Sequence, residues 1–184
     1  MEAVTSSSPY PLLTSQKVAP QMLRSLFRIR LFIVLAVALV AFGQSPALAA
    51  AIDPYVVRYL RVTEPIALQL NEQGETRLFS PQDLSVGKEL FSSNCMNCHV
   101  GGATLPDPQV SLALAKLKEA KPPRDNISNL VAYFRQPMTY DGTEEAFACR
   151  QVPETWMSQD EAESLAAFVL TAAQKARGWG AETF

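Results

Sequence analysis

Cys95-Met96-Asn97-Cys98-His99 constrains this chain more than any other stretch. C-x-x-C-H is the attachment signature of a c-type haem. Two thiols one helical turn apart can each add to a porphyrin vinyl group, and the adjacent imidazole binds the iron from one side. His99 is the only histidine in 184 residues, and Cys95 and Cys98 are two of only three cysteines. The competing readings fit less well. A thioredoxin-like C-x-x-C expects a preceding strand and has no use for the histidine. A structural zinc site needs four protein ligands, and the third cysteine lies 51 residues beyond Cys98. A Cys95–Cys98 disulfide is the plain structural alternative.

The N-terminal stretch points to an exported chain. Arg24, Arg28 and Arg30 precede an apolar run from Leu31 to Phe42, and Ala47-Leu48-Ala49 supplies an A-x-A exit. A basic region, a short apolar core and small residues make a secretory signal peptide. Residues 1–49 are therefore read as a signal, cleaved near Ala49/Ala50. The apolar core is short against the roughly 20 residues a bilayer-spanning helix needs, so an uncleaved anchor is the lesser alternative. Met22 would open a signal of conventional length, so translation from Met1 or from Met22 stays open. No twin-arginine pair is present, which predicts Sec-type export unfolded, with haem added on the far side.

Positions 50–184 form 135 residues, enough for one compact domain. They hold 12 Lys+Arg and 17 Asp+Glu, a net charge of −5. That balance disfavours nucleic acid and anionic lipid as partners, and predicts a protein peripheral to a membrane at most.

Within this stretch, residues 52–65 read as an extended arm around Pro54 and Pro65. Ile66, Leu68 and Leu70 alternate, Asn71-Glu72-Gln73-Gly74 gives turn chemistry, and Thr76 and Leu78 resume the alternation, which predicts a β-hairpin. Ser80-Pro81 opens a helix with Leu84, Gly87, Leu90 and Phe91 near one face, running into Cys95. Gly87 either marks a close helix crossing or is a tolerated glycine. Residues 108–120 read as a weakly periodic helix broken by Pro122-Pro123. Asp125 is the expected cap of a helix striped by Ile127, Leu130, Val131 and Phe134, ended near Pro137. A loop runs from Met138 to Met157 with a turn at Tyr140-Asp141-Gly142. Ser158 and Glu161 form a capping box for a last helix with Leu165, Phe168, Val169 and Ala172 inward. The expected fold is all-α, with an arm and β-hairpin over residues 50–79 and a cytochrome domain over 80–184.

Three stretches together carry a family resemblance. Cys-His-Val-Gly-Gly at 98–102, Pro-Pro-Arg-Asp-Asn at 122–126 and Tyr-Asp-Gly at 140–142 resemble cytochrome c-550, the extrinsic haem subunit on the lumenal side of cyanobacterial photosystem II. Gly178-Trp179-Gly180 is similar to its C-terminal stretch, and the hairpin at 66–79 to its N-terminal region. The resemblance implies a class I-like cytochrome c core, one covalent haem c and a thylakoid-lumen location. It also departs from the pattern. Cytochrome c-550 has a second histidine as sixth iron ligand shortly after the Tyr-Asp-Gly turn, and this chain has none. Near the corresponding place stands Cys149. The divergent cytochrome c-550-like proteins of some cyanobacteria resemble the chain best, and that implies His/Cys axial coordination.

Cys149 also fits the sixth position chemically. It is not needed for thioether attachment and has no fourth cysteine as partner. Its thiolate is a strong anionic donor to ferric iron. The alternatives are a buried free cysteine acting as a small hydrophobe, an intermolecular disulfide, Met138 or Met157 as ligand, or an open site. Met96 lies inside the attachment loop, on the wrong side. Arg124 and Asn126 contact a haem propionate or fix their loop, or are a capped helix start with a solvated Arg; Tyr140 and Trp179 are read as core rather than as packing on the haem edge.

These readings predict a low-potential monohaem c-type cytochrome that transfers electrons and associates with photosystem II or a soluble redox protein. A stabilising photosystem subunit without essential redox chemistry is the second reading. A peroxidase or ligand sensor is disfavoured, since no distal histidine exists.

Overall fold

A computed structural model describes residues 28–35, 51–104 and 110–181. The chain divides into two compact units, Met1–Leu48 and Ala49–Phe184. In the first, residues 28–35 are helical and cover the start of the apolar run. The rest of that run, Arg24 and the Ala47–Ala49 exit lie outside the described residues. No described helix is long and apolar enough to cross a membrane.

The second unit begins with a correction. Residues 52–65 are not simply an extended arm, because Pro54–Arg58 form a short helix, α1. Asp53 accepts a hydrogen bond from the Tyr55 amide at 2.7 Å, and Pro54 occupies the first helical position. Asp-Pro is itself a helix-start signal, but five residues are too few to show a period. Asp53 also pairs with Lys88 at 2.9 Å and its amide donates to Ser85 Oγ at 2.8 Å, tying α1 to the next helix.

The hairpin forms as expected over β1 (Ile66–Gln69) and β2 (Thr76–Phe79), antiparallel, with Ile66 opposite Phe79 and Gln69 opposite Thr76. Asn71 Oδ1 accepts from the Gln73 and Glu75 amides and shapes the turn, where Gly74 takes φ +83°. The phase on β2 differs from the sequence reading. Phe79 is buried while Leu78 is 66 % exposed, because directly opposed residues share a face and Phe79 faces inward with Ile66.

The core is built on two long helices, α2 (Pro81–Asn94) and the last helix. Ser80 caps α2, and Asp83 closes a capping box. Leu84, Gly87 and Phe91 turn inward. Next come a 3₁₀ turn at Val100–Gly102, helix α3 (Leu114–Glu119) and helix α4 (Ile127–Arg135). α3 is shorter than the expected 108–120, since residues 110–113 are not helical and 105–109 are undescribed. Asn126, not Asp125, caps α4, accepting from the Asn129 amide at 2.9 Å. Helix α5 (Gln159–Lys175) carries the expected Ser158/Glu161 box and is buried almost continuously from Ala162 to Ala172.

α2 and α5 pack against each other at Gly87. A methyl group there would strike the Ser164 carbonyl of α5 and the Phe168 Cβ. The close-crossing reading of that glycine therefore holds. Around it, Phe91 lies tilted against Phe168 at 5.5 Å and against Trp179 at 5.3 Å, and Trp179 meets Phe168 edge-on at 5.9 Å. Gly87→Ala should lower the thermal unfolding midpoint. Alanine gains about 1 kcal/mol of helix propensity, but forcing the helices apart costs about 1–3 kcal/mol. Calorimetry giving an unchanged or higher midpoint would refute this crossing.

Candidate functional site

The attachment motif hangs from the end of α2. Cys95 is the residue that closes the helix, its amide donating to Phe91 O at 2.9 Å. The chain then turns once more, with the amides of Cys98 and His99 both donating to Cys95 O, at 3.1 and 2.9 Å. This turn holds Cys95 half-buried and Cys98 exposed. All three cysteines, Cys149 included, are free thiols. Among the described residues no group of three or more His, Cys, Asp or Glu is placed to hold a metal ion by itself.

His99 is oriented by a residue the sequence did not flag. Its Nδ1 lies 3.0 Å from Thr104 Oγ1. That hydroxyl donates its one proton to the Val110 carbonyl, so it accepts from Nδ1–H. The tautomer so fixed leaves the lone pair on Nε2, the arrangement an axial imidazole needs. Burial lowers the His99 pKa, with the Ala103 backbone acceptor pulling the other way. Burial thus favours the neutral ring, the form that binds metal.

The loop behind His99 is closed from far along the chain. Gly101 and Gly102 take φ +57° and +80°, a region that favours glycine. A Cβ on Gly102 would lie 2.5 Å from the Trp179 ring. Trp179 Nε1 donates to Leu112 O at 3.1 Å, and the Gly180 amide donates to Gly101 O at 2.8 Å. The Val-Gly-Gly and Gly-Trp-Gly motifs are therefore two halves of one contact, and Trp179 packs in the core as expected.

Cys149 reaches the same region on the loop between α4 and α5. Its neighbourhood is pinned by backbone pairing: Thr139 N to Glu144 O at 2.8 Å, Ala146 N to Pro137 O at 2.9 Å, and a bridge of Met138 with Glu145. Gly142 takes φ +75°, and a side chain on it would strike the Lys121 carbonyl. Arg124 binds this loop from beneath. Its Nη2 donates to Met138 O at 3.0 Å and Thr139 O at 2.7 Å, and its guanidinium sits 3.9 Å over the Tyr133 ring. Arg124 thus fixes the loop, while Asn126 caps α4. Burial lowers the Arg124 pKa; Tyr133, Cys149 and Tyr140 oppose that.

Cys149 lies near enough to Cys95 for its charge to act there. The Cys95 thiol is pushed up to about 12, first by burial, then by the charge of Cys149 and of Cys98. Tyr133 is the second residue the sequence missed. It lies half-buried beside the α4 stripe under the Arg124 guanidinium, and burial, then the nearby Cys149, raise its pKa. Met157 is only 2 % exposed and lies in the core cluster. Met138 stays on the same loop as Cys149. Met96 is 47 % exposed. Tyr140 is not a core residue as expected: its hydroxyl donates to Lys116 O at 3.0 Å and clamps α3. Two thiols flanking a helix-end turn, an imidazole of fixed tautomer and a third thiol from a separate loop fit the donor set of a haem.

Known proteins show the same arrangement of sequence. Residues 60–184 match the family model for the cytochrome c-550 domain. A cytochrome c-550-like protein of Trichodesmium erythraeum is 54 % identical over 157 residues, covering 85 % of this chain and 94 % of the relative. A photosystem II extrinsic protein V of Gloeobacter violaceus is 58 % identical over 132 residues, covering 72 % of this chain and 71 % of the relative. The solved structure of the PsbV2 cytochrome from Thermosynechococcus elongatus superposes with a TM-score of 0.69 at 54 % identity, covering 71 % of this chain and 99 % of that one.

Arg124→Gln should destabilise the protein by about 2 kcal/mol or more, since it removes charged hydrogen bonds to two loop carbonyls. Denaturant unfolding checks this. A change below about 0.5 kcal/mol, the usual surface value, would show that Arg124 does not hold the loop.

Proposed function

Because the chain belongs to the cytochrome c-550 family, we propose that it is a low-potential monohaem c-type cytochrome of the thylakoid lumen, an electron carrier that associates peripherally with photosystem II. Residues 1–49 act as its Sec-type signal, 50–79 as its arm and hairpin, and 80–184 as a class I-like cytochrome c domain. One haem c is held covalently through Cys95 and Cys98. His99 is the proximal ligand and Cys149 the sixth. What supports this reading is an attachment pair at the end of α2, an imidazole whose Nδ1 proton is held by Thr104, and a third cysteine close enough for its charge to act on Cys95.

Haem supplies one-electron chemistry when bound. The residues set its terms. Thr104 keeps Nε2 of His99 available and makes the ring more basic. Cys149 donates as an anion, which favours the ferric state and lowers the potential below that of a His/Met cytochrome. With His99 and Cys149 both holding the iron, a substrate would find no free place on it, and the chain would serve as a carrier. A stabilising extrinsic subunit is the second reading, favoured by the 58 % identity to a photosystem II extrinsic protein V.

Three measurements test the proposal. Mass analysis of the exported protein should show the polypeptide from about Ala50 plus one haem; no added macrocycle would end the case. The ferric electron paramagnetic resonance spectrum should be that of low-spin thiolate ligation, abolished in Cys149→Ser and retained in Met138→Leu. The reverse pattern would move the ligand to Met138. Co-purification with photosystem II separates the two roles: enrichment there without redox change on illumination supports the stabilising one.

A further inference from the structure

Arg135 ends α4, where a basic side chain ordinarily complements the helix dipole. Here it reaches further. Its Nη1 crosses to the loop between α4 and α5 and donates to Val152 O at 2.9 Å and to Met157 O at 2.8 Å. The Val152 amide in turn donates to Phe134 O at 2.8 Å. Val152, only 7 % exposed, is thus held at both its amide and its carbonyl by two consecutive residues of α4. It stands three residues beyond Cys149. The other clasp on this loop, Arg124 on Met138 and Thr139, lies ten residues before Cys149. Most of the chain between the two clasps is exposed, so the nearer one governs the freedom of Cys149.

The rest of the Arg135 guanidinium is idle. Nε and Nη2 are buried and have no hydrogen-bond partner among the described residues. Buried donors left unpaired cost stability, and a charge buried on those terms is a weak stabiliser. What the side chain supplies is position. One nitrogen gathers the two ends of a turn that the Trp156 and Met157 amides close on Pro153 O, at 3.0 and 3.1 Å.

We propose that Arg135 is a positioning residue for Cys149: by clasping the Val152–Met157 turn onto α4, it sets how readily Cys149 leaves the sixth position on the haem iron. The inference rests on Cys149 being that ligand. Without the clasp the limb of the loop next to Cys149 loses its anchor on α4, and a ligand from solution competes for the iron. That exchange is a substitution at ferric iron. The iron–sulfur bond breaks with its electron pair left on sulfur, an imidazole nitrogen forms the new bond, and no electron is transferred.

Imidazole added to the ferric holoprotein tests this, its entry followed by loss of the thiolate paramagnetic signal. Arg135→Met keeps a straight side chain and no donor. It should speed the exchange about tenfold or more, the worth of one hydrogen bond from a charged donor. Arg135→Lys should bring the rate back to within about threefold, because one nitrogen carries both bonds and an ammonium offers three protons; a lysine variant as fast as Arg135→Met overturns the clasp. Arg77→Met removes an arginine that pairs with Glu163 and Asp160 instead, and should leave the rate unchanged. An equal rise there would mean general loosening and overturns the proposal, as does an unchanged rate in Arg135→Met. If Arg135→Met gives no holoprotein, Arg135→Gln, whose amide is too short to gather both carbonyls, decides by the same rate. Cys149→Ser separates the two levels. A thiolate signal that survives Cys149→Ser removes the ligand and this proposal together. A signal lost in Cys149→Ser, with imidazole entering Arg135→Met no faster than the unaltered protein, overturns the clasp alone.

Discussion

The close approach of α2 and α5 at Gly87 is the contact on which the site depends. Without a side chain at that point the backbones meet, and Phe91, Phe168 and Trp179 interlock immediately beyond it. Phe91 accepts the hydrogen bond that ends α2 at Cys95. The orientation of the attachment turn is thus inherited directly from a helix packed almost entirely against α5. Aromatic contacts of this kind add about 0.5–1.5 kcal/mol each beyond burial, so the frame is rigid where the motif leaves it.

The opposite wall is built on a different principle. Cys149 sits on an irregular loop with few apolar anchors, and its position comes from polar fixing: the Arg124 guanidinium, the paired segments around Pro137 and Glu145, and the Lys121 carbonyl close against Gly142. Pro-Pro-Arg-Asp-Asn and Tyr-Asp-Gly look like separate motifs in the sequence, yet they form one joint. The two sides of the site thus differ in kind, one delivered by helix packing and the other by hydrogen bonds to carbonyls.

That difference governs how much was legible in the chain. Helices α2, α4 and α5 have stripes and caps of their own, and the sequence placed them to within a residue or two. Local signals failed where the determinant was distant or too short. α1 is five residues and shows no period. Phe79 rather than Leu78 faces inward because pairing with Ile66 fixes the phase. Cys95, Cys98 and His99 stood out as candidates by their spacing, and Cys149 as one by its lack of another partner. Thr104 and Tyr133 carry no spacing signature, since each is defined only by what lies across space from it. Tyr140 was assigned to the core from its aromatic character, but its hydroxyl found an acceptor at Lys116 and drew it to the surface of α3.

The contact between Trp179 and Gly102 ties the loop behind His99 to the far end of the domain. Trp179 lies 80 residues downstream of His99, so that loop gains its indole cover and the Gly180–Gly101 hydrogen bond only once that much more polypeptide is in place. A chain cut before Trp179 keeps the local turn after α2 and loses its long-range support.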